Sequence, residues 1–107
     1  MRFKPPKNSS RFYWTNHVFD KMLFYGLSEQ RIKRVLNRPD RIETGIAPKT
    51  LACMQVAGSK KRRQEIWVMY QKLNSKLKII STWRYPGKSP AKNPIPQEIL
   101  EEVRSLL

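Results

Sequence analysis

Gln64 to Gly87 reads QEIWVMYQKLNSKLKIISTWRYPG, and this stretch decides the fold. Two runs rich in β-branched and aromatic residues flank Leu73-Asn74-Ser75-Lys76, the signature of a β-hairpin. A two-residue and a four-residue loop give the same register: Tyr70 opposite Ile79, Val68 opposite Ser81, Ile66 opposite Trp83. Successive side chains of a strand point to opposite faces. One face then carries Ile66, Val68, Tyr70, Leu77, Ile79 and Trp83 and reads as core. The other carries Trp67, Met69, Gln71, Lys78, Ile80, Thr82 and Arg84, with Glu65 opposite Arg84. That mixed face reads either as the floor of a site or as a half-buried sheet surface with a satisfied Glu-Arg pair.

Outward from the hairpin, the chain is of single-domain size: 107 residues, 39% hydrophobic and 10% aromatic, enough to bury one core without staples. Its 22 Lys and Arg against 8 Asp and Glu give a formal charge of +14 and a pI of about 10.4. Such a field favours polyanions, either nucleic acid or an anionic membrane. No apolar run approaches the roughly 20 residues of a membrane span, and the basic N-terminus lacks the apolar centre of a secretory signal. The expected location is therefore cytoplasmic, with no membrane partner. Cys53 is the single cysteine and His17 the single histidine, so neither an intrachain disulfide nor an ordinary zinc set can be built. Cys53 falls in an apolar strand-like run, where a buried, inert thiol is expected.

Residues 1–11, with two prolines and four basic side chains, read as a flexible basic arm. Thr15 is a good N-cap for a helix from about Asn16 to Tyr25 with the stripe Val18, Met22, Tyr25, and Gly26 supplies the stop. Ser28 caps a second helix with Glu29 in its first turn and Ile32, Val35 and Leu36 buried, ended before Pro39. Asp40 to Thr44 reads as a weak strand, Gly45 to Lys49 as a turn and Thr50 to Val56 as a stronger strand. A loop from Ala57 to Arg63 precedes the hairpin, which completes a four-stranded antiparallel meander. Residues 86–95 read as a Pro-rich linker, and residues 96–107 as an amphipathic helix with Glu98, Glu101 and Glu102 outward and Ile99, Leu100, Val103 and Leu107 on its apolar side. Residues 1–92 hold 21 basic and 5 acidic residues, a balance of +16. The acidic last helix either docks on this body or binds another copy, and docking is the reading preferred.

Two cationic features invite phosphate. Arg31, Arg34 and Arg38 recur at i, i+3 and i+7 along one side of the second helix, and Lys60, Lys61, Arg62 and Arg63 run consecutively through the loop. Each also reads as a solvated surface. The five acids before the last helix are scattered, which disfavours metal-dependent nuclease chemistry; no cofactor is implied.

RNA can be cleaved without metal when side chains deprotonate the 2′-hydroxyl, stabilise the phosphorane and protonate the leaving oxygen. His17 has the only side chain with an ordinary pKa near neutrality. Asp20 and Lys21 lie three and four residues on, away from the apolar stripe. Thr82, Arg84 and Tyr85 close the last strand with a hydroxyl, a fixed cation and a phenol; Arg84 would neutralise phosphate, and Tyr85 would stack on a base or donate a proton. Trp67 is a second stacking candidate. A surface histidine and a sheet-end aromatic cluster are the structural alternatives.

The order Thr15-Asn16-His17-Val18, Lys21-Met22, Gly26-Leu27-Ser28, Ile32, Val35-Leu36, Pro39, then Ile79-Ile80-Ser81-Thr82-Trp83-Arg84, resembles an uncharacterised small-domain family of bacteria and phages that is similar to the RelE and BrnT ribonuclease toxins. The resemblance covers residues 12–85. It implies an α+β fold, two N-terminal helices packed on a four-stranded antiparallel sheet, here followed by a C-terminal helix. It also implies a metal-independent RNA-cleaving site with His17 as acid or base and Lys21 and Arg84 as its cations; Tyr85 joins the catalytic candidates from the reading of the strand end alone. RNA, ribosome-associated RNA included, would be the substrate, and a toxin of this kind implies an antitoxin-like protein partner. Lys21 stands where the family more often has arginine, and residues after Tyr85 are outside its pattern. Two other readings stand beside it: a noncatalytic RNA- or ribosome-binding module, and a protein-interaction domain that uses the last helix.

Overall fold

The computed structural model describes residues 4–47, 49–91 and 95–106. Met1 to Phe3 of the expected arm, Pro48 of the expected turn, residues 92–94 of the linker and Leu107 of the last helix lie outside these. The elements are β1 (Phe12–Trp14), α1 (Asn16–Tyr25), α2 (Glu29–Asn37), β2 (Arg41–Ala47), β3 (Thr50–Gly58), β4 (Arg63–Leu73), β5 (Lys76–Pro86) and α3 (Gln97–Val103), ending in a 3-10 turn over Arg104–Leu106.

The expected four-stranded antiparallel sheet with two helices on it is corrected to a five-stranded mixed sheet with three helices. The strands lie in the order β1-β5-β4-β3-β2, and β1 pairs parallel to β5, Phe12 to Leu77 and Trp14 to Ile79. Phe12-Tyr13-Trp14 is a run of β-favouring residues too short to show alternation. Its pairing comes from a partner more than sixty residues away, which local periodicity does not register. The end of the expected arm is tied down beside it. Asn8 Oδ1 accepts from the Trp14 amide at 2.8 Å, and Ser9 Oγ accepts from the Phe12 amide at 3.1 Å.

The helical half follows its local signals. Thr15 Oγ1 accepts from the Val18 amide at the start of α1, and Gly26 closes that helix at φ +67°. Ser28 caps α2 through the Arg31 amide. In the central hairpin Asn74 takes φ +55° in a two-residue turn between Leu73 and Lys76. Beyond that turn the expected register holds only as far as Tyr70 opposite Ile79. Ile80 is an extra residue in β5, so Met69 faces Ser81, Val68 faces Thr82, Trp67 faces Trp83, Ile66 faces Arg84 and Glu65 faces Tyr85. Thr15 stabilises this bulge: its hydroxyl lies 2.9 Å from the Ile79 carbonyl and 3.1 Å from that of Ile80. One residue therefore caps α1 and seats that helix against the bulge.

The bulge reassigns the faces. Ile66, Val68, Tyr70, Leu77 and Ile79 pack with Val18, Met22, Ile32 and Val35 under α1 and α2. Trp83 moves to the opposite face, where Trp67, Met69, Ile80 and Trp83 pack with Ile99 and Val103 of α3. Trp67 and Trp83 stack there with centroids 5.9 Å apart and planes 5° from parallel. Trp67, Thr82 and Arg84 do not share a face, contrary to expectation, and no mixed floor exists: both faces of the sheet are core. The last helix docks on its own body, as preferred from sequence.

Candidate nucleic-acid interface

The bulge also decides where Arg84 points. On the α1/α2 side of β5, its Nε donates to the Tyr25 carbonyl at 2.8 Å and an Nη donates to Gln64 Oε1 at 3.1 Å. It thereby joins the end of α1 to the start of β4. The α1–α2 turn, α2 and the ends of β3, β4 and β5 then enclose a cavity of about 380 Å³ lined by Gly26, Leu27, Ser28, Arg31, Arg34, Ala57, Gly58, Gln64, Ile66 and Arg84.

This cavity continues in three directions. Gln64 and Arg84 open onto a second hollow of about 340 Å³ with Arg62, Arg63 and Pro86. Arg34 borders a third, about 300 Å³, with Asn37, Arg38 and Gln55. Ala57 and Gly58 lead to a fourth beside Ser59, Lys60 and Arg63. Together they form one furrow, and neither Asp nor Glu lines any part of it.

Its walls are braced rather than loose. Gln55 Nε2 donates to the carbonyls of Arg34 and Arg38 at 3.0 and 2.9 Å, holding the end of α2 on β3, while Gln55 Oε1 accepts from Arg31. Burial, followed by the like charges of Arg34 and Arg84, holds the Arg31 guanidinium below its ordinary pKa. Arg31 and Arg34, neighbours on one turn of α2, and Arg84, far from them in sequence, are thus close enough to repel. An anion placed among them would relieve that repulsion. Gly58, at φ +83°, makes the tight exit from β3, and Ser59 holds the loop by accepting from the Arg62 amide at 3.1 Å.

The sequence candidates divide accordingly. Arg31, Arg34, Arg38, Lys60, Arg62, Arg63 and Arg84 come together around the furrow. Arg63 is the most committed of them, since its guanidinium donates to the Gly87 carbonyl at 2.7 Å and to Glu65 at 3.3 Å. Lys61 is exposed on the same loop. Trp67 and Thr82 are fully buried and unavailable to a ligand: the Trp67 indole donates to Glu65 at 2.9 Å, and the Thr82 hydroxyl donates to the Trp67 carbonyl. Tyr85 is half-buried on the α3 side.

His17 and Lys21 belong to a separate cluster. Lys21 Nζ lies 2.7 Å from Glu102 Oε2 of α3, and His17 Nε2 lies 3.2 Å from Ser81 Oγ and 3.6 Å from the same carboxylate. Burial lowers the His17 pKa; Glu102 opposes the shift and Lys21 adds to it. A serine-histidine-acid relay needs the hydroxyl and the carboxylate on different ring nitrogens. Here both approach Nε2, and Ser81 is fully buried. His17 opens α1 whereas Arg84 binds the carbonyl that closes it, about 12 Å along the helix axis at 1.5 Å per residue. His17 lines none of the four hollows around Arg84 and the α2 arginines.

Sequence reading missed Phe24, which is 75% exposed, its ring edge-on to Tyr25 and its centroid 5.5 Å from Lys21 Nζ. A large aromatic off the apolar stripe of a helix was the available signal. It also missed Ser89, whose hydroxyl donates to buried Glu65 at 2.5 Å and pins the linker to the sheet. Burial alone would raise the Glu65 pKa; bonds from Ser89, Trp67 and Arg63 outweigh it and hold the carboxyl below its ordinary value. Cys53 is buried, with its thiol pushed up to about 12 by desolvation, and is inert. Among the described residues no group of His, Cys, Asp and Glu is arranged to hold a metal ion, and no helix is long and apolar enough to cross a membrane. Compared with protein-family models, curated proteins and solved structures, the chain matches none.

Proposed function

We propose that this protein binds the phosphate backbone of RNA in the arginine furrow between α2 and the ends of β3, β4 and β5. The observation that carries the reading is the convergence of Arg31, Arg34 and Arg84 on one carboxylate-free cavity. Arginine suits that task because its planar fork matches phosphate oxygens and keeps its charge when partly desolvated. Gln55, Gln64 and the Tyr25 carbonyl hold two of these forks in place, so little side-chain freedom is lost on binding. The loop cations Lys60 and Arg62 extend the same positive wall and lengthen the backbone tract it can follow.

Binding, rather than cleavage, is what this geometry supports. The single imidazole lies at the far end of α1, engaged with Ser81 and Glu102, and Lys21 is neutralised by that carboxylate. RNA in the cytoplasm is the polymer this reading implies, recognised through its backbone.

Fluorescence anisotropy of labelled RNA across a salt series tests the reading. Affinity is expected to fall steeply with salt, because each neutralised phosphate releases condensed counterions. Arg34→Glu is expected to weaken binding about tenfold or more and to flatten the salt slope by about one. Salt-insensitive binding, or an Arg34→Glu variant that binds as well as the parent, would refute it. RNA recovered intact in chelator fits a binder, whereas chelator-resistant cleavage that disappears in His17→Ala would establish the ribonuclease instead.

A further inference from the structure

We infer that the Arg63 guanidinium is a stacking platform for one unpaired base, which sits in the hollow of Val56, Ala57 and Gly58 and makes single-stranded RNA the form the furrow takes. This deepens the backbone-binding reading and rests on it. Arg63 lines two of the four hollows, one with Gln64 and Arg84, the other with Val56, Ala57, Gly58 and Lys60. It therefore stands between the arginine side of the furrow and the arm floored by apolar residues.

Arg63 is poorly suited to hold phosphate itself. Its Nη1 donates to the Gly87 carbonyl at 2.7 Å and to Glu65 Oε2 at 3.3 Å, so its charge is matched by a fully buried carboxylate. Those bonds restrain the group, yet its side chain stays 34% exposed. A restrained, partly exposed planar cation is a surface on which a base stacks.

The arm beside it has the matching chemistry. It encloses about 330 Å³, room for a base, and Val56 is 43% exposed there whereas Ala52, Cys53 and Met54 of the same strand are buried. Asp40 Oδ2 accepts from the Val56 amide at 2.8 Å, which puts a carboxylate next to this arm and favours an uncharged base over phosphate. The flanking phosphates meet Lys60 and Arg62, both exposed on the loop. A duplex keeps its bases stacked on one another, so it can use the arginines but not this seat.

The test measures anisotropy with a labelled oligouridylate, an abasic oligoribonucleotide of the same length and an RNA duplex. The parent is expected to bind oligouridylate about tenfold more tightly than the abasic strand, the scale of one stacked base. Arg63→Lys keeps a cation opposite Glu65 but removes the plane; it should lose that preference, with salt slope and duplex affinity unchanged. Val56→Ser, at an exposed position, should reduce the preference from the other wall, and it decides the matter alone if Arg63→Lys fails to fold. If the parent does not distinguish the two strands, or a folded Arg63→Lys keeps the preference, the stacking inference falls, and a loss in Arg34→Glu would still uphold the furrow. An equal loss on duplex also overturns it. If Arg34→Glu has no effect, the backbone-binding reading fails and the inference with it.

Discussion

His17 is held among Ser81, Lys21 and Glu102 at the seam between α1 and α3, with Asp20 one helical turn on. Burial is the first cause of its lowered pKa, and Lys21 reinforces it against the attraction of Glu102 and Asp20. A folded-state pKa below the unfolded value means that the unfolded chain takes up the proton more readily. The resulting stability is fully present above the ordinary value of 6.5 and is lost as pH falls through the folded-state pKa. Urea midpoints followed between neutral pH and pH about 5 should therefore drop more steeply in the parent than in His17→Gln. Parallel pH profiles would show that the histidine does not titrate against folding. Thr15 was read correctly as a cap, but its second role at the Ile80 bulge was not legible. That role depends on a strand which enters the chain more than sixty residues later.

At the level of the element, two glycines with similar backbones behave differently because of what surrounds them. Gly26 at φ +67° ends α1 in open space, so alanine there meets only the conformational penalty of the left-handed region. Gly58 at φ +83° ends β3 directly against the β3–β4 loop, and a Cβ would collide with the Arg62 carbonyl oxygen. Gly58→Ala should cost roughly 1–3 kcal/mol in urea unfolding and also weaken RNA binding by displacing Lys60 and Arg62. Gly26→Ala should be milder. Equal destabilisation by the two substitutions would argue against the loop geometry. The same scale shows why the hairpin was half legible. Its turn chemistry and first cross-strand pair follow from local residues, yet the extra Ile80 shifts every later pair by one and exchanges the faces of Trp83 and its neighbours. Because side chains alternate with period two, one inserted residue inverts the assignment of everything beyond it.

Across the whole molecule, charge is segregated by the two-sided sheet. Three of the eight acids lie in the last helix, which packs on the face opposite the furrow, and buried Glu65 lies on that face too. Arg31, Arg34, Arg38, Lys60, Arg62, Arg63 and Arg84 thus border a furrow with no acid in its lining, while the acids of α3 lie across the sheet. Ile99 and Val103 of α3 are buried against Trp67 and Trp83, so the apolar side that a partner would need is already occupied. Deleting residues 95–107 should uncover that face. It is expected to cost about 3 kcal/mol or more from the two aliphatic side chains, with increased dye binding and aggregation as the readout. A truncated chain as stable as the parent would show that α3 is not part of the core.

Capping residues, turn residues and apolar periodicity were sufficient for α1, α2, the meander and an amphipathic last helix. Those signals act over a few neighbouring residues, and Thr15, Gly26, Ser28 and Asn74 each express them directly. Net charge was legible too, and the polyanion drawn from it stands as a proposal. Long-range packing was needed for the parallel β1, the bulge and the division of candidates into a furrow and a separate His17 cluster. Which cations meet depends on strand register and on which helix covers which face. Both are set by burial of side chains far apart in the chain, and no spacing within a single segment records that choice.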